Sequence, residues 1–425
     1  MPFTVTPTGF QWEYLNDTWA TLDDSWVGDY PSVTNIELGA FNGFTLDDPY
    51  LGLLDTGILD GDVTYVDVTD TVIDYSVARG RSRDLSRTNA GNLNVQFRNE
   101  DRQFDPLNTA SPLNSYTVPR KPVRVSLDGI RVFTGTIDDW NYNYGMGGLS
   151  VAQIQSSDAF SLFAREQNTG ISAVEQSSGA RIEAVLDQVE IAWPELDRDI
   201  DTGNATMVAG DLEGNALTYL QQVEESEAGL IFMTKDGKFG FKQRLFQPVT
   251  NALTFTDDDT GIPYDAIEIV YGTELLANRA TVTSTAGTAT SVNTQSEVLY
   301  GTSEREVSSL LAAGSLQSLA DYIVARYGAP EYRMERIRVN MRSITTAQRV
   351  AMLALELGDQ ADLQFTPNGI GAPIAIRNRV IGISHQVAPE SHFMSLSFEA
   401  LPFDFFILDD AVFGRLDDDA AVLGF

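Results

Sequence analysis

The rhythm of hydrophobic and polar positions changes several times along the chain, and each change predicts a different element. From residue 63 the rhythm is that of strands. Val63 and Tyr65 alternate with polar residues, then Leu93, Val95 and Phe97 do so, then the run "VRVSLDGIRVFTGTIDDW" from Val123 to Trp140. A period of two marks a strand with one buried face. Asp128-Gly129 between two such runs marks a tight hairpin. "LSVAQIQSSD" adds a further strand. Residues 65–165 therefore read as antiparallel strands closing into a small barrel or sandwich.

The period then lengthens. Ile182, Val185, Leu186 and Val189 fall on one helical face, with Ser178 as the expected N-cap. Leu217, Leu220 and Val223 mark a second helix, capped by Asn215 and ended before Gly229. "LIFMTKDGKFGFKQR" predicts a hairpin turning at Asp236-Gly237. Residues 166–250 thus form an α+β unit. Strand runs return over 251–302 and again over 345–402. Between them, at 303–344, Ser303 and Glu306 have capping-box spacing for one helix. Leu316, Leu319, Ile323 and Tyr327 line a second, which Gly328 and Pro330 stop. The expected fold is mainly β with α+β parts. Two small antiparallel barrel-like domains are separated by the α+β domain, and a helical insertion interrupts the second.

Both ends carry a different texture. Residues 1–64 and 403–425 are acidic, with isolated large apolar residues. "FTLDDPYLGLLD" (Phe44 to Asp55) and "FILDDAVFGRLD" (Phe406 to Asp417) repeat one phrase. Asp48 and Asp410 each have the position of a cap on a single helical turn, closed by Gly52 and Gly414. Leu46, Tyr50, Leu51 and Leu54, and likewise Leu408, Val412, Phe413 and Leu416, would then project as apolar plugs. We read both segments as docking arms.

Charge narrows the chemistry. The formal net charge is −32, four lysines are spread over 425 residues, and no Lys or Arg precedes Arg79. That excludes a role built on gripping phosphates. No apolar run is long enough to span a bilayer, and "MPFTVTPTGFQWEY" lacks the basic start of a secretory signal. With no cysteine there is no thiol chemistry. His385 and His392 flank "QVAPES" and are expected at the surface of a hairpin rather than on a metal. Asp-rich stretches at 55–62 and 256–261 read as turns rather than calcium loops. Carboxylate pairs such as Asp138-Asp139 and Glu224-Glu225 are too abundant to single out a hydrolase site. The tryptophans are scattered as packing anchors rather than grouped as a sugar platform. No catalytic residue, metal or cofactor is expected. One basic cluster stands out: Arg79, Arg81, Arg83 and Arg87. Amid acidic neighbours, these are expected to pair carboxylates within the fold or across a subunit contact.

That cluster opens a longer passage. Ala90-Gly91, the turn from Asn99 to Arg102, Phe104-Asp105-Pro106, the Pro119–Pro122 segment and Phe133-Thr134-Gly135 before Trp140 follow in order. The passage resembles the first β-domain of baseplate hub or minor tail proteins of long-tailed siphophages of actinobacteria. The likeness extends over roughly residues 65–402. It implies a homotrimeric hub at the distal end of the tail, in the virion, after assembly in the host cytoplasm. Implied partners are a distal tail or tail tube protein, the tape-measure protein and other tail-tip or fibre proteins. Phage DNA would pass through the channel without specific binding. A channel wall of mostly Asp and Glu is expected to keep it sliding. The alternatives are a hexameric distal tail ring protein and a carbohydrate-binding tail adhesin.

Overall fold

The structure, a computed structural model, describes residues 34–41, 63–84, 86–145, 150–170, 172–244, 252–258 and 260–401, with two short paired stretches at 404–405 and 421–422. The eight candidate plugs, Leu46 to Leu54 and Leu408 to Leu416, lie outside the described residues, as does the Asp-rich stretch 55–62.

The first strands are β1 (Thr34–Phe41), β2 (Val63–Asp67), β3 (Val72–Gly80), β4 (Asn92–Arg98), β5 (Pro122–Leu127), β6 (Ile130–Tyr144) and β7 (Ser150–Ser157). Neighbours run β3-β4-β7-β6-β5-β1-β2, all antiparallel. Strand β1 lies within the segment read as an arm, yet it is flanked by β2 and β5 and buries Ile36 and Leu38 completely. Ile36, Leu38 and Ala40 do alternate, and the Asp-rich text on either side masked that period. At the β5–β6 hairpin, Asp128 and Gly129 take φ of 50° and 78°, as a tight turn with the twist of its strands requires.

The passage that carried the family likeness folds as one knot. Asn99 Oδ1 accepts from the Phe104 N–H at 3.0 Å, and Asp105 Oδ1 accepts from the Leu107 N–H at 2.8 Å. These bonds turn the loop back and bury Phe104 fully. Its ring stacks on Phe97 (4.7 Å) and on Trp140 (5.8 Å). Trp140 is thus a packing anchor.

The middle of the chain gives α1 (Phe160–Phe163), α2 (Ser178–Leu186), β8 (Arg198–Ile200), α3 (Ala216–Glu227), β9 (Leu230–Met233) and β10 (Phe239–Lys242). Strand β10 pairs in parallel with β8 and antiparallel with β9. Two local expectations are corrected. Ser177, not Ser178, caps α2, by accepting from the Ala180 N–H. Ser178 is buried and donates to Glu227 instead. The helix ends at Leu186, which leaves Val189 87% exposed.

Next come β11 (Leu253–Thr256), β12 (Ile262–Pro263), β13 (Ala266–Tyr271), β14 (Arg279–Ser284), β15 (Gly287–Val292), α4 (Thr294–Tyr300), β16 (Glu304–Ser308), α5 (Ala313–Tyr327), β17 (Tyr332–Asn340), α6 (Thr346–Ala354), β18 (Gln360–Phe365), β19 (Ile374–Ala388) and β20 (Ser391–Ala400). The helix expected from Ser303 and Glu306 is strand β16, because the segment alternates and Val307 is buried where β16 pairs in parallel with β14. A true capping box lies further on. Thr345 and Gln348 bond reciprocally and open α6, inside a segment read as strand.

Strand β19 pairs with β18, with β20 and, through Gly382–Val387, with β3. The β strands before and after the α+β unit therefore join in one fourteen-stranded sheet. No closed barrel forms among the described residues. One core serves that sheet, with Leu93, Val95 and Phe97 in the same cluster as Ile337, Val339 and Leu396. A second core joins the α+β unit to the sheet β15-β14-β16 and to α5. Replacing Phe104 by Ala should lower unfolding free energy by about 3–5 kcal/mol. Leu107→Ala, at a side chain 83% exposed, should stay within roughly 0.5 kcal/mol. Denaturant titration of the two variants checks the contrast.

Candidate functional site

Gly80 sets the geometry of the junction. Its φ is +84°, and a Cβ there would come within 2.2 Å of the Ile381 carbonyl. Only glycine allows β3 to close on β19 in this way. The Arg81 N–H then donates to Ile381 O at 2.7 Å. Arg79 and Arg81, two residues apart, both turn inward and are buried.

Arg79 donates to Glu356 at 2.7 Å and to the Met233 carbonyl at 3.2 Å. Arg81 donates to the Gly229 carbonyl at 2.8 Å and lies 3.8 Å from Glu224. Glu224 also accepts from the Thr88 hydroxyl at 2.7 Å and from the Ile231 N–H at 3.0 Å. Arg83 meets Glu274 at 2.7 Å and Arg87 meets Glu225 at 3.6 Å, both near solvent. All four arginines therefore face carboxylates of this chain. Lys235, from the hairpin after β9, adds a tie by donating to the Leu353, Ala354 and Leu355 carbonyls at the end of α6. The loop after β3, the α+β unit and the α6–β18 connection are bolted together.

A second layer borders a cleft of about 120 Å³. Tyr327 donates to Asp84, 3.0 Å from one carboxylate oxygen. Arg379 donates to Glu399 at 2.7 Å, and Arg326 donates to the Ala400 carbonyl at 3.0 Å. Burial, with Glu399 close by, pushes Asp84 up to about 6. Burial would also raise Glu399, but Arg379, with Arg81 and Arg326 behind it, outweighs burial and holds that carboxyl below its ordinary value. Glu224 is raised by burial, with Arg81 opposing. Each acid at this cleft already faces a cation or a hydroxyl. The arrangement can hold elements in register, and none of these acids is left as a free base.

The remaining candidates separate. Asp138 accepts from the Ser157 hydroxyl while Asp139 faces outward, and Glu224 is buried while Glu225 is not. Asp257 accepts from the Thr366 N–H, and Asp258 accepts from Thr260. Among the described residues no group of three or more His, Asp or Glu could hold a metal. The histidines are not at the surface. His385 and His392 are buried on core-facing positions of β19 and β20, with Nδ1 and Nε2 3.2 Å apart. Burial holds His385 well below its ordinary value and His392 at about 4, so both are neutral. The sequence reading gave Glu224 no role beyond one acidic pair among many, missed Glu227 and Glu399, and saw Tyr327 only as a helix-face residue. For the first two a signal existed, because the helical period through Leu220 and Val223 continues to Glu224 and Glu227.

No protein-family model matches the sequence, and no curated protein matches it. Solved structures do. A tail protein of Neisseria meningitidis MC58 matches with a TM-score of 0.56 at 11% identity, covering 87% of this chain and 96% of that one. The 43 kDa tail protein of prophage MuSo2 from Shewanella oneidensis matches with a TM-score of 0.52 at 11% identity, covering 87% and 97%. The chain has a phage tail-protein fold over most of its length.

Two outcomes test the site. Arg79→Ala removes the cation facing Glu356, leaving it only the Lys235 and Leu357 N–H groups, and should cost about 3–5 kcal/mol of stability. Arg83→Ala breaks an exposed pair and should cost less than about 1 kcal/mol. The other outcome concerns Asp158, which is buried and accepts from the Gly91 and Phe160 N–H groups at 2.7 and 3.0 Å. Burial raises it to about 7. A carboxyl raised on folding contributes stability below its unfolded value that is lost as pH rises through the folded one. The stability of the wild type relative to Asp158→Asn should therefore fall between about pH 4 and 7, by up to about 1.4 kcal/mol per pH unit. Urea titrations across that range measure it.

Proposed function

We propose that this chain is a structural virion protein, a trimeric hub at the distal end of a long non-contractile phage tail. The observation that carries this reading is the match to two tail proteins over nearly their whole length. The ionic junction supports it, since its ties serve rigidity across long sequence separations. In this reading the hub joins the tail tube or distal tail ring to the tip, contacts the tape-measure protein and lets DNA pass without specific binding. It needs no cofactor and performs no catalysis. The domain boundaries read from sequence and the siphophage assignment belong to the same proposal.

The arms are proposed as docking segments onto adjacent subunits or a ring or tip protein, through Leu46, Tyr50, Leu51, Leu54, Leu408, Val412, Phe413 and Leu416. Because β1 begins at Thr34 and buries Ile36 and Leu38, a deletion that spares the sheet must stop at residue 33. Chains lacking 1–33 or 404–425 should melt as the full chain does but reduce the yield of assembled tails. Mass photometry of the purified full chain should give three copies. Six copies would favour the distal ring reading, and unchanged tail yield from both deletions would remove the arms' role.

A further inference from the structure

The large sheet is unfinished at one end. Strand β13 pairs with β17 and, among the described residues, with no other strand. Its inner face continues the main core. Ile267 lies opposite Ile337 and Ile269 opposite Met334, and both of those partners are buried. Ile267 and Ile269 themselves are only half-buried, and Tyr271, next on the same side, is 68% exposed. A row of core positions therefore ends at an open strand. Edge strands are ordinarily blunted by Pro, by Lys or by shortness. The β12 end of the same sheet has two residues and includes Pro263, and the β2 end has five and closes on Asp67. Strand β13 reads AIEIVY, and its one charge, Glu268, belongs to the outer face beside Arg336.

What completes such an edge is an extended segment whose backbone pairs with it and whose alternate side chains extend the apolar row. The chain carries one just past β20. Residues 403–408 read FDFFIL, and alternation puts Phe403, Phe405 and Ile407 on one side of a strand. Phe and Ile suit a strand. Asp404 and Phe405 pair in parallel with Ala421 and Val422, and a strand has a second edge to offer. Reach decides which copy supplies it. Strand β20 neighbours β17, and β17 neighbours β13, so the open side of β13 lies three strand spacings from β20, about 14 Å. From Leu401 to Asp404 the chain spans about 10 Å at most. A chain pairing with its own β13 would have to start near residue 406. Asp409 and Asp410 would then fall inside the strand, where Asp is disfavoured. A neighbouring copy is under no such limit.

We propose that residues 403–408 of a second copy of this chain pair with the open edge of β13, where Phe403, Phe405 and Ile407 close the row begun by Ile267, Ile269 and Tyr271. The inference rests on the hub reading and gives the C-terminal arm a definite seat. The contact is heterologous, because each copy donates an arm and accepts one. Contacts of that kind close into a ring when the rotation between copies allows it.

The chain has no cysteine, so Glu268→Cys together with Phe405→Cys gives one thiol on the edge strand and one in the arm. A short bismaleimide added to the purified full-length variant should give products of two and three chain masses on a denaturing gel, well in excess of either single variant. A product of one chain mass with both thiols consumed would put the chain's own arm on the edge. No link in a protein that mass photometry counts as three copies would mean that something else meets the edge, or nothing does. Either result overturns the proposal while leaving the hub reading in place. A single copy in solution would overturn both. Hydrogen exchange supplies a second readout. The amides of Ile267 to Tyr271 should exchange about tenfold more slowly in the wild-type full chain than in a variant carrying Phe403→Asp and Ile407→Asp. The amides of β3 and β19 should stay equally protected in both, which reports that the variant is folded. Equal exchange of the β13 amides in the two proteins would also overturn the proposal.

Discussion

The pairing of β3 with β19 is the constraint on which the remainder of this fold depends. It fuses strands from both sides of the α+β unit into one sheet, and Gly80 permits it by leaving room for the Ile381 carbonyl. Once the two strands meet, Arg79 and Arg81 have no route to water. Their charge is satisfied by Glu356, by Glu224 and by the Met233 and Gly229 carbonyls, which belong to elements far away in sequence. Packing and electrostatics are therefore not separable at the junction. Loss of either member of the Arg79–Glu356 pair would leave the other without its opposite charge, held only by backbone groups: the Met233 carbonyl for Arg79, the Lys235 and Leu357 N–H groups for Glu356.

The same coupling explains the two cores. The large sheet cannot bury its inner face without strands from both ends of the chain. The α+β unit cannot bury Ile182, Leu220 and Phe239 without α5 and strand β14. Each core closes only when chain segments on either side of the other are in place. Such interdependence favours one body with fixed internal geometry.

How much of this was legible varies with the physics involved. Strict alternation identified most long strands, and Asp-Gly turns identified two hairpins, because both signals are local. Helix α5 was legible from Leu316, Leu319, Ile323 and Tyr327, all of which are buried. Ser303 and Glu306 have the spacing of a capping box but Thr345 and Gln348 form one, because spacing alone does not reveal which segment has a partner strand. The histidines were misplaced for a related reason. A turn-flanking residue looks exposed until its register puts it on the inner face. The arginine cluster was legible as a cluster, but its partners were not, since Glu224, Glu274 and Glu356 reach it only through tertiary structure.

The most direct measurement is an image of the purified tail tip by cryo-electron microscopy, with this chain traced in the density. The account predicts three copies at the distal end of the tube, each fitting as one body with β3 paired to β19. Absence of the chain from the tip, or six copies in a ring, would contradict it.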